Sequence, residues 1–402
     1  MNLALFIIFA TIFENVVPEN CPKMYRRLSK SHTFCTPSTC KIEAGGKVTE
    51  SDKQTILETH NQLRNKLATG KENQYQKLSS AANMMQMEWD DELAAVAQAH
   101  ANQCKFEHDS GDQRAVGNFS VGQNLLETSG IFSIDWGKVK IWYTTEVDDF
   151  YPEYNKPFQF HGSYGHFSQV IWAKTWKVGC GVAGYVENGV KKVLYTCNYG
   201  PAGNLVGSEA YQVGSPCSAC PENTKCSATY PGLCKSITPD GPQIRRPSSK
   251  DYLLYCDFSD KDPKACKDVT MTGSRPFTTQ KLYTGKYVTQ VFNAGENMTI
   301  NFGKFEHKGG LCAFLIGRFG PNVAGETAAS EVNFHFSAPH LIFPEGMKET
   351  RPITSWHTIG ILMRWDKELQ ISYVFKVKPP TAKPPPQYFE FKEYGVKGGS
   401  CP

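Results

Sequence analysis

Fourteen cysteines, an even number, run through the 402-residue chain. They limit what it can fold into more than any other feature does. Cys217, Cys220, Cys226 and Cys234 are the densest group. In a reducing compartment such a group would suggest zinc. In an exported chain it reads as a disulfide framework. The N-terminus favours export. Leu3 to Phe13 reads LALFIIFATIF, too short to span a bilayer but long enough for the core of a signal peptide. Residues 1–20 are therefore expected to be a leader, cleaved between Phe13 and Cys21. Sequons for N-glycosylation at Asn118 and Asn297 agree with export.

The net charge of +4 and the lack of a long basic cluster exclude a nucleic-acid binder. No second apolar run approaches membrane-spanning length, so no transmembrane segment is expected. The length suits two domains. Residues 21–48 read as a disulfide-bonded arm, 49–212 as a domain mixing helical and strand patterns, and 213–234 as a hinge too short to fold without bridges. Residues 235–250 form a Pro/Ser linker, 251–378 a second domain, and 379–402 an extended proline-rich tail.

In the first domain, Ser51 with Gln54 predicts a capping box and a helix carrying Ile56, His60, Leu63 and Leu67 on one face. A second helix is expected over Asp91 to Cys104. A third is expected over Trp136 to Phe150, with Glu146 one turn from Trp142. The period then changes. Val178 to Val186 and Val190 to Tyr199 are β-rich, and Asn188-Gly189 between them is a type I′ hairpin signal. Pairing outward from that turn puts Cys180 opposite Cys197 at a non-hydrogen-bonded position, where Cα atoms approach to about 4.5 Å, a spacing a disulfide tolerates. The second domain shows strand-like segments at Tyr287–Phe292, Met298–Phe302, Ala313–Ile316, Glu331–Phe336 and Leu369–Val377, and reads as a β-sandwich or jelly roll. Its four cysteines, Cys256, Cys266, Cys312 and Cys401, allow three pairings.

The polar residues that could carry chemistry are His108, Gln123, Glu146 and His166. Two imidazoles and a carboxylate suit a divalent metal such as zinc, or general acid–base work. His60 and His100 lie on apolar helical faces and read as core histidines. Trp142, Trp172 and Trp176 read as packing. Ser168 lies two residues from His166 but lacks the glycine elbow of a serine nucleophile.

Gly165 to Gly181, GHFSQVIWAKTWKVGCG, and Tyr195 to Gly203, YTCNYGPAG, resemble the signatures of the CAP superfamily of cysteine-rich secretory, antigen 5 and pathogenesis-related proteins. His60-Asn61-Gln62-Leu63-Arg64, Ala101-Asn102-Gln103-Cys104 and Glu146-Val147-Asp148-Asp149-Phe150 extend the resemblance over roughly residues 35–212. The details are most similar to the arthropod venom antigen 5 branch. The resemblance implies an α+β chain: a three-layer α–β–α sandwich with a central antiparallel sheet, a cysteine-rich hinge, and beyond it the mostly-β domain. It implies a cleft tetrad of His108, Gln123, Glu146 and His166 in which Gln123 replaces an acid, with zinc held, where it is held, by His108 and His166. It implies the pairs Cys21–Cys35, Cys40–Cys104, Cys180–Cys197, Cys217–Cys226 and Cys220–Cys234. The function expected is a non-enzymatic secreted protein of venom or saliva, with no required cofactor, that binds an extracellular protein or lipid target. A metal-dependent hydrolase or protease, and lipid or sterol binding, are the alternatives.

Overall fold

The computed structural model describes residues 21–72, 78–117, 119–238, 241–242, 252–256, 258, 269–282, 285–324, 326, 328–338, 341–342, 348–349, 353–363, 367–377 and 385–398. The expected leader, the sequon at Asn118, most of the linker, Cys266 and Cys401 lie outside them.

The first domain holds helices α1 (Lys23–Leu28), α2 (Glu50–Ala68), α3 (Asp91–Ala101), α4 (Ile141–Thr144) and α5 (Gly165–Val170). Its sheet is built from β1 (Ala44–Gly45), β2 (Glu88–Trp89), β3 (Gly122–Ser129), β4 (Lys177–Glu187) and β5 (Val190–Gly200), in the order β1-β4-β5-β3 with β2 parallel to β4. The capping box of α2 forms two residues earlier than the sequence suggests. Thr49 and Asp52 cap each other's backbone amides, while Gln54 donates to Glu58 one turn along. The box thus uses an acid at its third position, where it also meets the positive end of the helix dipole.

The buried face of α2 is part polar. Ile56 and Leu67 share it with His60, Asn61 and Arg64. Arg64 satisfies its buried guanidinium on the backbone carbonyls of Met85, Val170, Trp172, Ala173 and Thr175. It thereby ties α2 to Met85, to the C-terminal end of α5 and to the loop that follows it. Ile56, Leu67, Trp142, Tyr143, Phe167 and Val170 share one core with Val178, Cys180, Val182, Tyr195, Cys197 and Tyr199 of the sheet. The alternate residues of β4 face α3. A Cβ on Gly179 would lie 2.2 Å from Ala94 N, and one on Gly181 would lie 2.3 Å from Gln98 Cα. Only glycine admits the helix this close. The result is the α–β–α layering.

The third helix is shorter than its apolar spacing predicts. A 3₁₀ turn over Trp136–Lys140 leads into α4, which ends at Thr144, and a second 3₁₀ turn covers Val147–Asp149. Glu146 sits in the break between them.

Beyond the sheet, β6 (Thr224–Cys226) and β7 (Cys234–Ser236) make a two-stranded hinge. The hinge is pinned to the first domain by the Cys234 N–H on Met84 O and the Gln86 N–H on Cys234 O. Five disulfides join Cys21 to Cys35, Cys40 to Cys104, Cys180 to Cys197, Cys217 to Cys226 and Cys220 to Cys234. Cys256 and Cys312 are disulfide-bonded as well.

The second domain packs two six-stranded sheets. One runs β10 (Thr278–Leu282), β11 (Gly285–Phe292), β19 (Gln387–Gly398), β13 (Leu311–Pro321), β17 (Ile353–Met363), with β8 (Leu254–Cys256) on β19. The other runs β15 (Leu341–Ile342), β14 (Ser330–Ala338), β18 (Leu369–Val377), β12 (Asn297–Phe305), β9 (Thr270–Gly273), with β16 (Lys348–Glu349) on β14. Met298, Ile300, Ile371, Tyr373 and Phe375 from one sheet meet Leu311, Leu315, Phe389, Phe391 and Val396 from the other in one core. Residues read as an extended tail thus include β19, an inner strand. The prolines before it mask the alternation of QYFEFKEYGVKG.

The two domains touch through the N-terminal arm. Arg27 on α1 and Arg318 on β13 grip the two oxygens of the buried Glu390 at 2.7 and 2.6 Å. The Ala324 amide donates to Arg26 O. No helix of the described residues is long and apolar enough to cross a membrane.

Candidate functional site

The four residues of the expected cleft fall into two hydrogen-bonded groups. The first lies around the start of β3. Gln123 turns its amide between three neighbours: Nε2 donates to Asp109 Oδ1 at 3.1 Å and to Asn198 Oδ1 at 3.2 Å. Two oxygen acceptors fix the amide's orientation, so its Oε1 faces His108 Nδ1 at 2.8 Å and must accept from it. In the neutral imidazole this contact selects the tautomer with the proton on Nδ1 and the lone pair on Nε2, and His108 is exposed.

Asp109 is a residue that sequence reasoning passed over. Its carboxylate is mostly buried and takes hydrogen bonds from Thr33 Oγ1 at 2.5 Å, from Arg114 at 3.0 Å and from Gln123. It joins the N-terminal arm, the loop after α3 and the edge strand at one point. Its adjacency to His108 was the available signal.

The second group lies at the N-terminus of α5. Glu146 Oε2 accepts from the backbone amides of His166 and Phe167, both at 2.9 Å, and Oε1 pairs with His166 Nδ1 at 2.5 Å. Glu146 therefore caps α5 from outside and aligns the imidazole at the same time. This geometry needs a residue outside the helical path, which explains why Glu146 sits in the break after α4. His166 also stacks near Trp142, whose indole donates to Leu125 O at 2.9 Å. Asn124, the neighbour of Gln123 on β3, donates to His166 O at 3.1 Å and so links the two groups.

The remaining polar residues are structural. His60 is fully buried between Ile56 O and the Tyr199 hydroxyl. Burial pulls its pKa down to about 4, against the opposing hydrogen bond to Ile56 O. His100 bridges Thr196 and Glu107 O, and burial again lowers its pKa. Ser168 donates to Asn204 Oδ1 at 2.7 Å and is buried, with no imidazole partner. Trp142, Trp172 and Trp176 are buried packing.

Among the described residues, the one set of three or more His, Cys, Asp or Glu ligand atoms lying within 4.8 Å of one another is Cys217, Cys220 and Cys234. Those sulfurs are all in disulfides and present no thiolate to a metal. His108, Glu146 and His166 do not come together as a three-ligand site.

Comparison with known proteins places this geometry. The family described as "CAP: Cysteine-rich secretory protein family" matches residues 57–199, the stretch that carries His60, His108, Gln123, Glu146 and His166. A protein called "CRISP/Allergen/PR-1" from Trittame loki is 41% identical over 402 residues, covering 95% of each chain. A "Venom allergen 5" from Tityus serrulatus is 39% identical over 420 residues, covering 99% of this chain and 98% of the relative. A "Venom allergen 5" from Vespula pensylvanica is 37% identical over 192 residues, 45% of this chain but 93% of its own length. Similarity at that level across both domains is enough to assign the chain: it belongs to the CAP family of cysteine-rich secretory proteins, in a two-domain form that carries a β-sandwich beyond the hinge.

Proposed function

We propose that this chain is an exported protein that acts by binding an extracellular protein or lipid target rather than by turnover. The observation that carries this reading is the state of Glu146. A general base needs a free carboxylate oxygen within reach of the proton it takes, and both oxygens of Glu146 are committed to α5 and His166. The position that would offer a second acid holds Gln123, an amide bound on three sides. The disulfide network suits an oxidising extracellular setting. The names of the relatives support a venom or salivary component. Of the two expected glycosylation sites, Asn297 lies exposed at the start of β12.

A second reading rests on tautomers. His108 and His166 both spend Nδ1 on protein partners, which leaves two Nε2 atoms to face a cation. Among the described residues no third His, Cys, Asp or Glu groups with them, so they fall short of a closed four-coordinate zinc site. Zinc held there would keep water in its remaining positions and would contribute little to folding.

The test compares the full chain with a His108→Ala, His166→Ala double variant on broad peptide substrates, with and without added zinc, and records melting after chelation. Equal background in both proteins and an unchanged melting temperature are expected. Turnover present in the wild type and lost in the double variant would overturn the binding reading.

A further inference from the structure

The sulfurs of Cys217, Cys220 and Cys234 converge within 4.8 Å of one another in the hinge. Two bridges meet there, an outer one from Cys217 to Cys226 and an inner one from Cys220 to Cys234. The Cys217 sulfur is thus bonded in the outer bridge while lying next to both sulfurs of the inner one. Access is graded across the four. Cys226 is exposed, Cys217 and Cys220 are half-buried, and Cys234 is fully buried against Met85 and Trp176. Cys226 is the only exposed cysteine among those described. Cys217 and Cys220 also stand in a Cys-Ser-Ala-Cys sequence, the two-residue spacing in which redox-active cysteines bridge one another.

We propose that the hinge is a thiol–disulfide exchange site that captures an accessible thiol of a partner at Cys226. The partner's thiolate sulfur attacks Cys226 Sγ. The Cys217–Cys226 bond breaks as the partner–Cys226 bond forms, and the electron pair leaves on Cys217 Sγ. Cys217 then attacks Cys220 Sγ. The Cys220–Cys234 bond breaks, a Cys217–Cys220 bridge forms, and Cys234 Sγ leaves with the electron pair and takes up the proton that the partner's thiol gave up. Two disulfides and one thiol enter, and two disulfides and one thiol remain, so no external oxidant or reductant is consumed. The second step gives the capture its direction. A lone outer bridge would let Cys217 return at once and expel the partner. Here Cys217 is drawn into the new bridge, and the residual thiol is the buried one, fixed by the Cys234 backbone bonds to Met84 and Gln86.

The experiment uses the full disulfide-bonded chain and reduced glutathione as the probe, at mildly alkaline pH where thiols supply thiolate. Free thiols are then blocked with a maleimide and the peptides mapped without reduction. The expected map has glutathione on Cys226, a bridge from Cys217 to Cys220, and maleimide on Cys234. No adduct, an adduct on any other cysteine, or maleimide on Cys217 with the inner bridge intact would each overturn the proposal. The readout needs no cysteine substitution, so a variant that fails to fold cannot obscure it.

Discussion

The histidine at position 60 shows how a residue can be correctly placed from sequence while its consequence stays hidden. Its apolar helical spacing marks it as core, yet nothing in the spacing names Tyr199, its hydroxyl partner on β5. Burial of the imidazole at that site fixes a pH dependence. His60 titrates near 6.5 when unfolded and near 4 when folded. Between those values the unfolded chain binds more protons, so stability is fully present above about pH 6.5 and falls as pH drops toward 4. The difference corresponds to about 3 kcal/mol for this one buried group. His32 and His100, whose pKa values burial also lowers, act in the same direction. Denaturant midpoints measured from pH 7 to pH 4 should fall steadily, and His60→Gln should flatten the slope. A slope unchanged by that variant would show that other groups govern the acid limb. Gln123 was legible as the missing acid, but its three-sided hold was not, because Asp109 and Asn198 reach it from segments 14 and 75 residues away in sequence.

At the scale of elements, the hairpin was the most legible part of the molecule. Asn188 and Gly189 both take positive φ, and the ladder outward from them pairs Cys180 with Cys197. A local turn signal suffices there because register propagates from it. The third helix was less legible for the opposite reason. Its apolar residues do reach the core at helical spacing, but Glu146 is pulled out of the helix by the amides of α5, a tertiary demand that no window of sequence contains. Glycines separate the two cases experimentally. Gly189→Ala meets open space and pays only for its φ of +78°, about 1 kcal/mol. Gly181→Ala drives a Cβ to within 2.4 Å of Gln98 N in the body of α3, where backbone cannot step aside. It should cost about 3 kcal/mol, or prevent folding. Thermal melts of the two variants therefore rank the contacts. Equal losses would mean that α3 can retreat from the sheet.

At the scale of the whole molecule, the sequence shows a Pro/Ser linker between two domains, which alone suggests independent bodies. The structure instead inserts the N-terminal arm between them. One side of α1 belongs to the first domain: Tyr25 donates to Glu92 on α3, and Tyr25 and Leu28 join Leu93 and Val96 in a shared cluster. The other side presents Arg27 to Glu390, beside Arg318, with Tyr388 under the guanidinium at 5.2 Å. Glu390 is 1% exposed, and the Thr289 hydroxyl adds a further hydrogen bond to it. A buried carboxylate between two guanidinium groups is a weak source of net stability but a costly one to break. Removing it leaves Arg318 buried and short of its counter-charge, at a cost of about 3–5 kcal/mol. That cost falls at the junction, on the sandwich side. Because the junction ties the sandwich to an arm that the Cys21–Cys35 bridge holds in shape, the two domains should unfold together in the wild type. Calorimetry of the full chain should therefore give one transition, and Glu390→Ala should split it, with the sandwich melting first. Two transitions already present in the wild type, or a single unsplit one in the variant, would show that the arm does not couple the domains.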